Sequence, residues 1–267
     1  MTVSVGTGKV TAMAPLTPFL YLAAVPVTLM AGFLIWVLSL LGKPLSAYEV
    51  VRSWCRILHF MTGVSHTVKG LENVPDGPYV VISNHSSHLD GTGLIVSLSD
   101  PLSVVIKREL ARIPVWGKSV LRVGFISIDR SKSEEAARTL KLAEKAVREG
   151  RHLLFFPEGT RAPDNRLHPF KKGGFHLGVN AQVPLLPIAI NGSRRLFPKG
   201  TLLPRSGEIE IVIGKPIPTK GLHKEDIPEL IARTRTAILE GRRRDPDFVD
   251  EELRGPAKKP SRGCNAR

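Results

Sequence analysis

Short apolar runs alternate with longer segments of helical periodicity through the middle of the chain. These runs are near-continuously apolar and rich in β-branched residues, which is typical of strands buried on both faces of a sheet. Their alternation with helical segments predicts an α/β domain with a mostly parallel central sheet flanked by helices. The runs are YVVIS (79–83), LSVVI (102–106), FISI (125–128), HLLFF (152–156), LLPIAI (185–190) and EIEIVI (208–213).

Two segments carry the clearest helical patterns. One lies between the third and fourth runs, where Ser131 and Glu134 have the spacing of a capping box and Gly150 provides the stop. A second helix, over 227–239, is predicted to close the domain. The apolar stripe of the first helix consists of Ala136, Leu140, Ala143 and Val147.

The N-terminal part of the chain is uncharged and apolar. Between Lys9 and Lys43 lie 33 residues without a formal charge. As one helix they would run about 50 Å, longer than the roughly 30 Å of a hydrocarbon core, and Pro26 is predicted to split the run. The run is too long for a signal peptide. Residues 1–46 are therefore predicted to be a hydrophobic helical membrane-anchoring segment, either a hairpin dipping into the bilayer or a single tilted span.

The remainder divides into a domain and a tail. Residues 47–240 form the predicted α/β domain, and residues 241–267 form a basic, polar and proline-containing tail that we expect to be disordered. Cys55 and Cys264 match no metal-ligand spacing, so the sequence predicts no metal site built on cysteine and fits a reducing compartment.

A formal net charge of +14 narrows the choice of partners. Residues 107–172 alone hold 16 Lys and Arg against 8 Asp and Glu, so most of the excess lies in the folded domain. A polyanion, an anionic membrane surface or a phosphorylated substrate would each explain it. The low aromatic content and the apolar N-terminus argue against nucleic acid. Arg52 and Arg56 follow the apolar run, which places the domain on the cytoplasmic side of a membrane.

The stretch NHSSHLDG (84–91) directly follows the first apolar run, and three interpretations of it compete. Ser87 and Asp90 could form the capping box of a helix, which leaves both histidines unexplained. His85, His88 and Asp90 could be metal ligands, but the spacing is one residue too long for an H-x-H-x-D cluster, and no further histidine-rich segment completes the set. A histidine could instead be a general base that Asp90 orients.

Chain geometry favours His85 for that role. In a helix His88 and Asp90 would point about 200° apart, because they are two residues apart. His85 lies in the turn between strand and helix, from which its ring can fold back toward Asp90. The carboxylate would accept the Nδ1 proton and leave Nε2 free to take a proton from a substrate hydroxyl.

The pattern Asn84-His85-x4-Asp90 resembles the first motif of the glycerolipid acyltransferases, and three further motifs follow in the same order. The segments GFISIDR (124–130), FPEGTR (156–161) and VPLLPI (183–188) are similar to the second, third and fourth motifs of that family. The segment IKREL (106–110) also resembles a lysine-bearing stretch that these enzymes carry. The resemblance covers roughly residues 65–240.

The resemblance implies acyl transfer from an acyl thioester directly to a hydroxyl, without an acyl-enzyme and without a metal or other cofactor. His85 would be the base and Asp90 its orienter, while cations at the ends of three strands would bind the acceptor's phosphate. Acyl-CoA or acyl carrier protein would be the donor. The implied substrate-binding residues are Lys107, Arg130, Glu158, Gly159, Thr160 and Arg161.

Several functions remain open from the sequence alone. The leading one is acylation of lysophosphatidic acid to phosphatidic acid at a lipid bilayer. Another lysophospholipid or glycerol 3-phosphate is the alternative acceptor, and a non-catalytic basic membrane-binding module is the alternative class. The acyl chain length, the choice of donor and the oligomeric state are not determined by the sequence.

Overall fold

A computed structural model describes residues 17–113, 116–128, 133–201, 203–243 and 245–248. Its centre is a seven-stranded sheet in the order β1-β7-β6-β2-β5-β3-β4. All pairs are parallel except β6 with β7, which is antiparallel. The strands are β1 (Val64–Lys69), β2 (Val80–Ser83), β3 (Leu102–Lys107), β4 (Ile126–Ile128), β5 (His152–Phe155), β6 (Leu185–Asn191) and β7 (Gly207–Ile213).

Helices cover both faces of the sheet, as its continuously apolar strands require. Along β2, Val81 packs into the core on the side of α2 and α3, whereas Val80 and Ile82 pack into the core on the side of α6, α7 and α9. The predicted α/β fold is therefore confirmed. The helices are α1 (Thr17–Leu40), α2 (Pro44–Thr62), α3 (Leu89–Ser97), α4 (Arg108–Ala111), α5 (Trp116–Val123), α6 (Ser133–Arg148), α7 (Gly173–Ala181), α8 (Ser193–Leu196) and α9 (Ile227–Arg242).

All six predicted strands are present, and a seventh, β1, was missed. Its sequence VSHTVK has three polar residues in a row and lies at the edge of the sheet, so it has no apolar run to reveal it. The two predicted helices correspond to α6 and α9. In α6, Ala143 and Val147 are buried as predicted, and Gly150 ends the turn with φ +92°. The proposed cap at Ser131 lies outside the described residues.

The predicted break at Pro26 is wrong, because α1 continues through it as one helix. A proline removes a single backbone hydrogen bond, and a long apolar helix tolerates that loss. Within the described residues one segment, Leu22–Leu40, is long and apolar enough to cross a membrane, with a mean hydropathy of 2.1 and 11% of it buried. The chain turns after α1, at 41–43, so the second arm of the helical pair is α2.

Helix α1 is attached to the domain by specific contacts. Ile35 is buried, the Ser119 hydroxyl of α5 donates to the Gly32 carbonyl at 3.1 Å, and the Trp54 indole of α2 donates to Thr28 Oγ1 at 3.0 Å. The predicted boundary at 46 therefore falls inside α2 and separates no independent unit.

The boundary at 240 is likewise too early. Helix α9 ends at Arg242, whose guanidinium is buried, donates to the Ile190 carbonyl at 2.6 Å and pairs with Asp245 at 3.3 Å. Phe248 packs on the core through the guanidinium of Arg242, 4.7 Å from its ring centroid. The first residues of the predicted tail, 241–243 and 245–248, thus belong to the folded domain, and residues 249–267 lie outside the described part.

Candidate active site

The candidate site lies at the carboxyl ends of three adjacent parallel strands. Strand β2 lies between β5 and β6, and all three run in the same direction. Their carboxyl ends therefore open at one edge of the sheet, where α/β proteins bind ligands. The segment NHSSHLD leads from the end of β2 into α3, FPEGTR lies in the loop after β5, and NGSRR leads from the last residue of β6 into α8.

His85 and Asp90 form the predicted pair. Nδ1 of His85 lies 2.8 Å from Oδ2 of Asp90, whose side chain is fully buried, whereas the side chain of His85 is 21% exposed. An ionised carboxylate can only accept a hydrogen bond, so this contact selects the imidazole tautomer that donates from Nδ1 and has Nε2 as an acceptor. The ring is held flat against Phe156 of the FPEGTR loop, with centroids 4.1 Å apart and planes at 16°.

Asp90 has a second function at the start of α3. Oδ2 also accepts the backbone amides of Ser86 at 2.7 Å and Ser87 at 2.8 Å. The predicted reach of Asp90 back to the Ser87 amide is thus present. The Ser87 hydroxyl, however, accepts from the Leu89 amide at 3.1 Å and donates to the Phe197 carbonyl at 2.9 Å. It does not accept from the backbone amide of Asp90, as it would in a full capping box.

Ser193 was missed as a member of the site. Its hydroxyl donates to Oδ1 of Asp90 at 2.5 Å and is buried, so both carboxylate oxygens are engaged. The sequence around Ser193 does not form a G-x-S-x-G turn, so no nucleophile motif marks this residue. Its position just after the apolar run 185–190, at the carboxyl end of a predicted strand, is the sequence signal that could have identified it.

Glu158 connects the two loops that hold the pair. Oε1 accepts the backbone amide of His85 at 2.7 Å, and Oε2 accepts the amide of His168 at 3.2 Å. Burial raises the pKa of Glu158, while these two amides lower it. The backbone amide of Ala162 in turn donates to the His85 carbonyl at 2.7 Å. Glu158 therefore positions the His85 backbone, and its predicted contact with substrate stays a prediction.

The other predicted residues of FPEGTR lie in the same loop. Gly159 has φ +75°, and a Cβ there would come within 2.8 Å of Lys171 Nζ, so a side chain would be strained and obstructed. Thr160 is exposed. Nη1 of Arg161 is buried and has no hydrogen-bond partner. Burial lowers the pKa of Arg161, and the charge of Asp90 raises it. Arg161 directly precedes Ala162, whose backbone amide donates to the His85 carbonyl at 2.7 Å, so it belongs to the loop that contacts the dyad residue.

Within the described residues, the ring of His88 takes no part in the hydrogen bonds of the dyad. Its ring lies 4.7 Å from the ring of Phe197, and its backbone amide donates to the Phe197 carbonyl at 3.2 Å. Burial, followed by the charge of Arg161, lowers the pKa of His88. The choice of His85 over His88 therefore agrees with the geometry.

Two predicted phosphate ligands are not tested by the structure. The backbone of Lys107 ends β3, next to β5, but its side chain is outside the described part. Arg130 lies outside the described residues altogether. Among the residues that are described, no group of three or more His, Cys, Asp or Glu side chains is arranged to hold a metal ion.

Comparisons with known proteins agree with this site. A family model described as Acyltransferase matches residues 65–191, a range that includes NHSSHLD and FPEGTR and ends at the last residue of β6. The 1-acyl-sn-glycerol-3-phosphate acyltransferase of Pseudomonas aeruginosa is 37% identical over 196 residues, which are 72% of this chain and 76% of that protein. The human 1-acyl-sn-glycerol-3-phosphate acyltransferase alpha is 32% identical over 200 residues, 74% of this chain and 71% of the relative.

A solved structure shares the whole architecture. The crystal structure of the 1-acyl-sn-glycerophosphate (LPA) acyltransferase of Thermotoga maritima matches with a TM-score of 0.75 and 25% identity, over 92% of this chain and 97% of that one. Sequence and fold together show that the chain belongs to the acyltransferase family of the 1-acyl-sn-glycerol-3-phosphate acyltransferases.

Proposed function

We propose that this protein transfers a fatty acyl group from an acyl thioester to the sn-2 hydroxyl of lysophosphatidic acid, giving phosphatidic acid. The relatives that carry this activity in their names support the reaction. The observation that carries it in this chain is that the His85–Asp90 pair and the loop of Arg161, with its unpartnered Nη1, lie at one sheet edge and are joined by the hydrogen bond from the Ala162 amide to the His85 carbonyl.

The chemistry follows from these groups. Nε2 of His85 takes the proton of the acceptor hydroxyl while the hydroxyl oxygen attacks the thioester carbonyl. The C–O ester bond forms, the C–S bond breaks, and the leaving thiolate takes up a proton. Asp90 stabilises the imidazolium that forms and keeps the ring in its productive orientation. Arg161 offers a planar guanidinium to the phosphate of the acceptor, with Lys107 and Arg130 as further cations.

A covalent acyl-enzyme is not needed in this scheme. Ser193, the hydroxyl that contacts the carboxylate, is buried and donates to Asp90. A serine nucleophile would instead have to give its proton to the imidazole of His85. The acceptor hydroxyl is therefore proposed to attack the thioester directly.

Membrane association supports a lipid acceptor. Helix α1 exposes large apolar side chains such as Leu22, Leu29 and Met30, and water-soluble glycerol 3-phosphate would not require them. We propose that the catalytic domain lies on the cytoplasmic side, which the positive charge that follows α1 supports. Coenzyme A or acyl carrier protein is the proposed carrier of the donor.

The test is a panel of acceptors offered to the purified protein in detergent or vesicles. Lysophosphatidic acid, other lysophospholipids and glycerol 3-phosphate are each supplied with acyl-CoA or acyl carrier protein, and the product is identified by mass. We expect phosphatidic acid from lysophosphatidic acid. Arg161→Lys should raise the KM of that acceptor about tenfold, because a lysine loses the bidentate contact. Preferred acylation of glycerol 3-phosphate would refute the assignment of the acceptor.

A further inference from the structure

A second group of cations lies at the same sheet edge, outside the His85 site. The segment from Gly192 to Arg205, which follows β6, has four basic residues and no acidic one. It lines an open cavity of about 200 Å³. Arg194, Arg195 and Arg205 border this cavity, and Leu196 and Leu203 supply apolar surface beside them.

The acidic residues of the cavity are already engaged. Asp247 pairs with Arg195 at 2.9 Å. Asp245 is buried, pairs with Arg242 at 3.3 Å and accepts the Gly192 amide at 3.2 Å. These pairs neutralise the charges of Arg195 and Arg242 and leave those of Arg194 and Arg205 uncompensated.

The two remaining cations are Arg194 and Arg205. Arg194 donates to the backbone carbonyl of Ala162 at 3.2 Å, an interaction that leaves its charge unpaired. Arg205 is exposed and, within the described part of the chain, its guanidinium has no ion pair. The cavity is therefore electropositive, and its arginines offer N–H donors suited to phosphate oxygens.

The segment that lines the cavity also contacts the catalytic loops. Ser193, in the same segment, donates to Asp90, and the Phe197 carbonyl accepts both Ser87 Oγ and the His88 amide. Arg194 contacts Ala162, whose amide donates to the His85 carbonyl. A ligand in this cavity would thus be held by the same segment that contacts Asp90 and the loops of the dyad.

The reaction proposed above brings two phosphorylated molecules together. The acceptor has its phosphate, for which Arg161 and its neighbours are assigned. The donor has a phosphate as well, because coenzyme A and the prosthetic group of acyl carrier protein both hold the thioester on a phosphopantetheine arm. We infer that the cavity of Arg194 and Arg205 binds the phosphate of the donor's phosphopantetheine arm. This inference rests on the proposed function.

The test is Arg205→Gln, with Arg233→Gln on the exposed face of α9 as the matched control. We expect Arg205→Gln to raise the KM of palmitoyl-CoA about tenfold, the usual effect of losing a charged hydrogen bond, without changing the KM of lysophosphatidic acid. Arg233→Gln should change neither. With palmitoyl-pantetheine, which has no phosphate, the Arg205→Gln variant and the native protein should have equal KM values.

Two results would overturn the inference. An unchanged KM for palmitoyl-CoA in Arg205→Gln excludes the donor phosphate from this cavity. A raised KM for lysophosphatidic acid with an unchanged donor KM assigns the cavity to the acceptor.

Calorimetric binding of a thioether analogue of palmitoyl-CoA measures the same interaction without turnover. Native protein that binds the analogue about tenfold more tightly than Arg205→Gln, yet acylates no acceptor, would refute the proposed function while supporting the donor site.

Discussion

Ser193 Oγ donates to Oδ1 of Asp90 at 2.5 Å, on the opposite side of the carboxylate from His85 Nδ1. The two residues are 103 positions apart in the chain and meet because β6 pairs with β2. The interaction fixes the carboxylate from the side that His85 does not contact. Ser193 is thus a positioning residue for the dyad.

Replacing Ser193 by alanine should lower kcat about tenfold or more, because a buried oxygen of Asp90 loses a charge-assisted hydrogen bond. The KM of the acceptor should stay within about twofold, since the substitution removes no group that we assign to substrate. Ser193→Thr keeps the hydroxyl and should restore kcat. Steady-state kinetics of both variants check this, and a native kcat in Ser193→Ala would contradict the positioning role.

The two histidines of NHSSHLDG should differ sharply when each is replaced by alanine. His85→Ala removes the base and should lower kcat by about 10²- to 10⁴-fold. In His88→Ala the backbone bond to Phe197 remains and only the ring contact is lost, so the loss should stay below about tenfold. Circular dichroism verifies the fold of each variant. Equal losses of kcat would show that the wrong histidine has been assigned.

Glu158→Gln should uncouple the two loops that it connects. Glutamine has one acceptor oxygen, whereas Glu158 accepts two backbone amides, so an NH₂ group would face one of these donors. We expect kcat to fall about tenfold as the His85 backbone shifts. The free energy of unfolding should change less than kcat does, because the variant also removes a buried charge. Glu229→Gln, at an exposed position, is the control.

Thermal unfolding separates this effect from general damage. A decrease in melting temperature that fully accounts for the lost activity would mean that Glu158 is a structural residue only. A native melting temperature with reduced kcat supports its role in holding His85.

The pH dependence of stability should reflect a buried histidine pair outside the active site. His59 Nδ1 lies 2.9 Å from His66 Nε2, and His59 Nε2 lies 2.8 Å from Thr92 Oγ1. Burial lowers the pKa of His59 to about 3 and that of His66 to about 4. The folded protein therefore holds both rings neutral at pH values where the unfolded chain protonates them.

The sign follows from proton uptake. Below the unfolded pKa of about 6.5 the unfolded state binds more protons than the folded state, so stability is complete above that pH and is lost on acidification. Between pH 7.5 and 5 we expect His59 alone to lower the unfolding free energy by about 2 kcal/mol. Urea unfolding at both pH values measures this loss. His59→Gln should reduce the pH dependence, and an unchanged dependence would contradict the assignment.

The sequence predicted the buried strands of the sheet better than its edge strand, the ends of its elements and the limits of the domain. Strands buried on both faces reveal themselves as apolar runs, whereas β1, with the polar residues Ser65, His66 and Thr67, does not. The prediction of a break at Pro26 is wrong because distant contacts hold the helix together. The free-energy cost of a proline inside the helix is offset by the burial of Ile35 and by the contacts of α1 with α2 and α5. Element ends and domain limits depend on such distant packing.

The same distinction applies to the site. His85 and Asp90 are five residues apart and could be paired from local geometry. Ser193 and Phe156 reach the dyad only because β6 and β5 flank β2, so their contacts depend on strand order. The two hydrogen bonds that Glu158 accepts could not be predicted either, because the sequence does not indicate that both of its carboxylate oxygens face backbone amides. Residues that contact a motif from distant strands can be predicted only when the strand order is known.

The joint between α1 and the domain has a geometric consequence for catalysis. A flexible tether would let the domain tumble above a membrane and meet lipids at many angles. The bonds from Trp54 to Thr28 and from Ser119 to Gly32 instead make α1 a rigid lever of the catalytic unit. With α1 in a bilayer, we expect its depth and tilt to set the height at which His85 meets the glycerol backbone of an acceptor, so turnover should depend on bilayer thickness.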